Sequence, residues 1–245
     1  MKLARLADGP EIFLSLQGEG KNQGTPSVFV RTSRCNLYCS WCDTPYTWNW
    51  HGSSFEHVDA RRFDRDQSTL ELDPLAAAGW VRRFACQRVV LTGGEPLLQA
   101  AECASLARTL LEFDARYVFE VETNGTLVPP AELDALVEQY TVSPKLEHAG
   151  VERSLRLRHT PLSYFAANPK SVFKFVVRDR ADASQVQELA QSYGIEPGRI
   201  YLMPLGTSSS DLNARSPEVA AACLENGYRF SDRLHIHLFG NRPGV

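Results

Sequence analysis

Short apolar, β-branched runs recur along the chain, separated by stretches of helical spacing, and this alternation predicts an α/β protein. The strand candidates are Ser27 to Arg31, Arg88 to Leu91, Tyr117 to Val121, Tyr140 to Val142, Val172 to Val177, Ile200 to Met203 and Leu234 to Leu238. Helix candidates lie near 74–85, 99–113, 130–139, 182–193 and 216–226; Asp73 caps the first, with Pro74 at its first helical position. Strand–helix repetition implies a parallel sheet, and right-handed crossovers curl such a series into a barrel or part of one. In the second helix the stripe of Leu98, Ala101, Leu106, Leu110 and Leu111 is scaffold packing.

Two segments break the alternation. Tyr46 to Thr69 is rich in Trp, His, Ser and charge, and Leu146 to Lys170 carries many Arg and His without a clear period. Both read as long loops beside a site or as partly disordered insertions, because long loops in compact domains are often functional. There is no internal repeat, low-complexity linker or second-domain boundary, so residues 1–245 are expected to form one domain with insertions near 46–69 and 146–170.

Composition changes the picture little. A net charge of −3 with both signs interspersed gives no pull toward nucleic acid or anionic lipid. Met1 to Pro10 holds Lys2, Arg5 and Asp8 but no apolar core of a signal peptide, and no later stretch approaches the ~20 apolar residues of a membrane span. A soluble, cytoplasmic protein without membrane or nucleic-acid partners is the expectation.

Cysteine spacing changes it more. Of six cysteines, Cys86, Cys103 and Cys223 are scattered singly in apolar surroundings and read as core thiols, whereas Cys35, Cys39 and Cys42 crowd into one loop after a strand. Three thiolates so spaced can face a common point, and soft sulfur selects an iron–sulfur cluster or zinc. Zinc would need a closed set of four ligands, for which His51 and His57 are the nearby candidates. Polar motifs follow other strands in the same way: Thr92-Gly-Gly-Glu-Pro96, Glu120-Val-Glu-Thr-Asn-Gly125 and Ser143-Pro-Lys145. Each alone reads as a turn; together, at successive strand ends, they should converge on one site, with Glu122 and Asn124 pointing into the barrel mouth. His235 and His237 alternate along the last strand candidate, but no third metal ligand is identifiable beside them.

The run Arg34-Cys-Asn-Leu-Tyr-Cys-Ser-Trp-Cys-Asp43, with Trp41 before the last Cys, resembles the signature of the radical S-adenosylmethionine superfamily. Glu11-Ile-Phe-Leu-Ser-Leu-Gln-Gly-Glu-Gly20, Thr25 to Arg31, Cys42-Asp-Thr44 and the ending Leu234 to Val245 narrow the likeness to the 7-carboxy-7-deazaguanine synthase family. That resemblance implies a partial (β/α) barrel and a 4Fe-4S cluster held by Cys35, Cys39 and Cys42, with one iron open to S-adenosylmethionine. It places Trp41, Cys42, Asp43, Gly93, Gly94, Glu95, Ser143, Pro144, Lys145 and the turn Met203, Pro204, Leu205, Gly206 on the cofactor side. Leu16, Gln17, Gly18, Arg31 and Thr92 would contact a pterin substrate, and Thr44 a magnesium ion. It further implies conversion of 6-carboxy-5,6,7,8-tetrahydropterin to 7-carboxy-7-deazaguanine with loss of ammonia, an electron donor such as flavodoxin or ferredoxin, and a homodimer. Glu19 or Glu122 could move protons. A glycyl-radical activating enzyme would share the cysteine loop and glycine turn, though Leu16 to Gly20 and Arg31 favour the small substrate; a non-catalytic zinc or iron–sulfur module would leave the strand-end motifs unexplained.

Overall fold

The computed structural model describes residues 1–245. An N-terminal antiparallel layer comes first: β1 (Lys2–Leu6), β2 (Gly9–Pro10) and β3 (Ile12–Leu16), followed by β4 (Pro26–Thr32). After the cysteine loop come α1 (Arg65–Ser68), β5 (Thr69–Glu71) and α2 (Pro74–Val81), then β6 (Arg88–Gly93), α3 (Ala100–Phe113) and β7 (Val118–Thr123). The second half runs α4 (Ala131–Asp134), β8 (Val137–Val142), α5 (Arg153–Arg156), α6 (His159–Ala167), β9 (Ser171–Val177) and α7 (Arg180–Tyr193). It closes with β10 (Ile200–Pro204), α8 (Ser209–Asn226), β11 (Arg229–Phe230) and α9 (Leu234–Phe239).

The sheet order is β11-β10-β9-β8-β7-β6-β4-β1-β2, with β3 paired to β4 and β5 to β1. From β4 through β11 every pairing on this path is parallel. The two ends of the path do not pair, so the barrel is open, as expected for a partial one. Central strands are buried on both faces, apolar toward the helices and partly polar toward the barrel interior, where Glu120, Gln139, Thr141 and Lys174 lie; Ser171–Val177 is buried at every position. A contiguous core of 39 residues joins the β1 end (Leu3) to the α8 end (Val219, Cys223).

Several expectations fall. Leu234 to Leu238 is a helix, not a strand: its five residues fit either period, and only Ile236 is buried, on one face of a turn that starts as Leu234 N–H donates to the Gly18 carbonyl (2.9 Å). The 130–139 helix stops at Asp134, because Val137, Gln139 and Thr141 enter the barrel as β8. The 146–170 segment is not a long loop, since Leu162, Phe165 and Ala166 bury one face of α6 and complete a crossover. The N-terminal strands and β5 carried too short a pattern to stand out. The 46–69 segment is largely irregular as expected, but it is folded tightly over the cysteine loop: Asn49 N–H donates to the Pro45 carbonyl (2.7 Å) and Val58 N–H to that of Ser40 (2.8 Å).

One junction fixes the glycine-rich and cysteine-rich loops together. Arg34 sits at φ +79, held as its N–H donates to the Thr47 carbonyl (2.8 Å) and its own carbonyl accepts from Glu95 N–H (2.8 Å). That carbonyl lies 1.9 Å from where a Cβ on Gly94 would stand, and Gly93 has φ +123. The glycines therefore admit the backbone of the cysteine loop itself. Gly94→Ala should lower stability by about 1–3 kcal/mol, read from a denaturant midpoint, whereas Gly79→Ala, with nothing within 4 Å in the interior of α2, should be neutral or stabilising. Equal midpoints for the two variants would refute this account of the junction.

Candidate active site

The carboxyl ends of the parallel strands surround a cavity of about 480 Å³, within the usual range for small-molecule sites. Cys35, Cys39 and Cys42 all line it, with Trp41, Asp43 and Thr44. Facing them are Leu16, Gln17 and Gly18 at and after the end of β3, Arg31 on β4, Thr92 and Gly93 on β6 with Gly94 just beyond, Ser143 and Lys145 after β8, and Met203 to Gly206 at the end of β10. Glu95 and Pro144, the other two residues expected on the cofactor side, do not line the cavity. The Glu95 carboxylate is fully buried and accepts from Leu97 N–H (3.0 Å), Thr123 Oγ1 (2.9 Å) and Asn124 N–H (2.7 Å). It braces the ends of β6 and β7 against each other.

The cysteine loop is tied down on every side. Asn124 Nδ2 donates to Asn36 Oδ1 (2.8 Å), Asn36 Nδ2 to Thr126 Oγ1 (2.8 Å), and Ser40 N–H to the Ala149 carbonyl (2.9 Å). His57 is occupied: its Nε2 donates to the Cys42 carbonyl (2.7 Å) and its Nδ1 meets Asp59. No three His, Cys, Asp or Glu side chains gather tightly enough for one mononuclear metal ion. Burial pushes the Cys39 thiol up to about 12 and raises Cys35 and Cys42 as well, which favours neutral thiols, so binding a cluster as thiolates would release protons. Trp41 stacks on His148 (5.3 Å), and its indole N–H is buried without a partner.

On the opposite wall, Glu122 joins three strand ends, accepting from Gln17 Nε2 (3.0 Å) and Thr92 Oγ1 (2.7 Å). Arg31 donates from Nε to the fully buried Glu11 (2.8 Å), which Tyr46 also contacts (2.9 Å), leaving the other two guanidinium nitrogens as further donors. Gly18 has no room for a side chain, because a Cβ would stand 2.0 Å from His235 Nδ1. His235 thus belongs to the cavity wall from a helix, while His237 turns to Asp232 (3.3 Å).

An ion cluster also lines the cavity, and no spacing in the chain signals it. Glu19 pairs with Lys174 on β9 and with Arg233 (3.0 Å), and Arg233 also pairs with Asp43 beside Cys42. Burial alone would raise the Glu19 carboxyl, but Lys174 and Arg233 outweigh it and hold its pKa well below the ordinary value. The same guanidinium lowers Asp43 against burial.

Residues 29–211 match the Radical SAM superfamily. The 7-carboxy-7-deazaguanine synthase of Pyrobaculum aerophilum is 37% identical over 96% of this chain and 95% of its own. That of Halobacterium salinarum is 37% identical over 96% and 93%. The chain belongs to the 7-carboxy-7-deazaguanine synthase family. A crystal structure of QueE from Escherichia coli superposes with a TM-score of 0.64 at 26% identity, covering 92% of each chain. As a radical SAM protein of this family the chain uses a 4Fe-4S cluster and S-adenosylmethionine, and the three thiols lining one cavity and the unpartnered Trp41 indole fit that pair. No helix is long and apolar enough to cross a membrane.

Within this family member, Glu19 is a structural carboxylate whose linkage to folding has a definite sign. With its folded pKa depressed, its contribution is present above its unfolded value near 4.5 and is lost as pH falls toward the folded one. Glu19→Gln should therefore cost about 3–5 kcal/mol at pH 7, and the gap to the natural chain should narrow below about pH 4.5. Urea midpoints from about pH 7 to 3 measure it; a constant gap would show that Glu19 is not held ionised.

Proposed function

We propose that the chain catalyses the radical ring contraction of 6-carboxy-5,6,7,8-tetrahydropterin to 7-carboxy-7-deazaguanine, with loss of ammonia, in 7-deazapurine biosynthesis. The observation that carries this reading is that the cysteine loop and the Gln17–Glu122–Thr92 linkage open into one cavity. Held by Cys35, Cys39 and Cys42 and the cofactor-side residues, the cluster and S-adenosylmethionine would supply hydrogen-atom abstraction at this cavity once an external donor provides one electron. The chain's own residues bind and orient. Arg31, fixed by Glu11 through one nitrogen, offers the others to the pterin carboxylate as a fork. Glu122 carries lone pairs beyond those used by Gln17 and Thr92, enough to accept an N–H of a flat heterocycle. Phe13 and Phe29, stacked at 5.3 Å, add an apolar wall.

On the cofactor side, Lys145 Nζ donates to Ser143 Oγ (2.9 Å) and lies 5.7 Å from the Trp41 ring, a pairing suited to the ribose and carboxylate of the cofactor. Thr44 Oγ1, 3.7 Å from Cys42 Sγ, can donate to sulfur and keep its lone pairs for magnesium, a hard cation that prefers oxygen. Glu19, clamped between two cations, is unsuited to proton transfer. Family resemblance supports a homodimer and an external one-electron donor of the flavodoxin or ferredoxin kind, and a single core through the whole sheet supports one domain.

The test is an anaerobic assay of reconstituted protein with the pterin, S-adenosylmethionine, magnesium and a reductant, followed by mass. Product is expected; cofactor cleavage without it would overturn the substrate assignment. Cys39→Ala should abolish cleavage with loss of bound iron. Because removing Arg31 outright would strand Glu11, Arg31→Lys is the cleaner probe: iron content should hold while KM rises about tenfold or more, as expected when a fork becomes a point charge. An unchanged KM would remove Arg31 from the substrate site.

A further inference from the structure

The three cluster-ligand sulfurs differ in their surroundings. Cys35 Sγ accepts from the Leu37 amide at 3.4 Å and from Asn124 Nδ2 at 3.9 Å. Cys42 Sγ has a shorter and chemically different donor, the indole Nε1–H of Trp48 at 3.3 Å. Trp48 comes from the segment folded over the cysteine loop and is buried, with Phe55 edge-on to it at 6.5 Å and His57 at 6.4 Å. The single donor of this buried indole points at sulfur from a dry position.

We propose that Trp48 is a positioning residue that sets the reduction potential of the cluster through Cys42. The inference rests on the cluster assignment above. When an external one-electron donor reduces the cluster, one negative charge is added and no proton or bond need move at Trp48. A donor already pointed at a ligand sulfur stabilises that added charge more than the oxidised state, so it makes reduction easier. The irregular 46–69 segment thereby excludes water from one corner of the cluster and replaces it with an oriented N–H. His57 contributes at one remove by fixing the Cys42 backbone through its carbonyl, whereas Phe55, itself exposed, only flanks the indole and supplies no donor.

The experiment is potentiometry of the reconstituted full-length protein monitored by electron paramagnetic resonance, with iron and sulfide counted in each sample. Trp48→Phe keeps an aromatic ring and removes the N–H. It should load iron normally but favour the oxidised cluster about tenfold, which for a one-electron couple is about 59 mV more negative. Phe55→Leu loosens the same wall and keeps the donor, so its potential should stay within about twofold of the natural chain on that scale. A Trp48→Phe potential equal to that of the natural chain, or an equal shift in Phe55→Leu, overturns the proposal. Should Trp48→Phe fail to hold iron, the reduced cluster of protein containing indole-15N tryptophan is examined in a Trp41→Phe background. Coupling to 15N supports the bond, and its absence overturns it. A natural chain that takes up no iron and sulfide overturns the cluster assignment itself, a result distinct from an unchanged potential.

Discussion

A carboxylate taken out of water must be matched, and at Glu19 the match ties together four distant parts of the chain. Glu19 leaves the β3 loop, Lys174 comes from β9, Arg233 from the turn before α9, and Asp43 from the cysteine loop. A buried ion pair seldom adds much net stability, yet removing one partner leaves a charge with no solvent, and that asymmetry makes such a cluster specify geometry. The loop that faces the substrate and the loop that holds the thiols therefore have one relative placement. Hydrophobic burial alone would tolerate sliding of these loops; directional charge pairs do not.

The parallel sheet supplies the other half of the constraint. Its strands all end on the same side, so the connections after β4, β6, β7 and β8 deliver polar side chains to one rim. Neighbouring turns are then locked pairwise: Glu95 binds the ends of β6 and β7, Glu122 binds β7 to β6 and the β3 loop, and Asn124 reaches the cysteine loop. Carboxylates suit these positions because each offers several acceptor sites to N–H and O–H groups that would otherwise be buried unpaired.

Much of this was legible in the chain because the chemistry is local. Cys35 to Cys42, Thr92 to Pro96, Glu120 to Gly125 and Ser143 to Lys145 are each contiguous, and each stands at the end of a strand whose apolar run marks it. What was hidden is non-local or short. Lys174 and Glu19 are 155 positions apart and Arg233 and Glu19 are 214 apart, and no period or spacing links them. Leu234 to Leu238 is too brief for its hydrophobic period to be measured, so its conformation is decided by docking on Gly18. Glu95 shows another non-local feature: a motif marks its turn, but its carboxylate is engaged by Thr123 and Asn124, which only the fold brings near.

The irregular 46–69 segment diverges from any sequence pattern for a different reason. Its Trp, His and Phe residues have no period because they pack on a loop rather than on a helix or sheet, and a loop surface has no repeat to match. Trp48 reaches Cys42, His57 reaches the Cys42 carbonyl, and Phe55 stacks on Tyr38 at 3.7 Å, so the segment's aromatic character is explained by contacts with the cysteine loop. An iron–sulfur site needs thiolates in a dry, shaped surround whose few hydrogen bonds set its electronics. Helices and strands cannot wrap three cysteines crowded into one short loop; an aromatic flap can, and the scarcity of regular structure there follows from the shape it must cover.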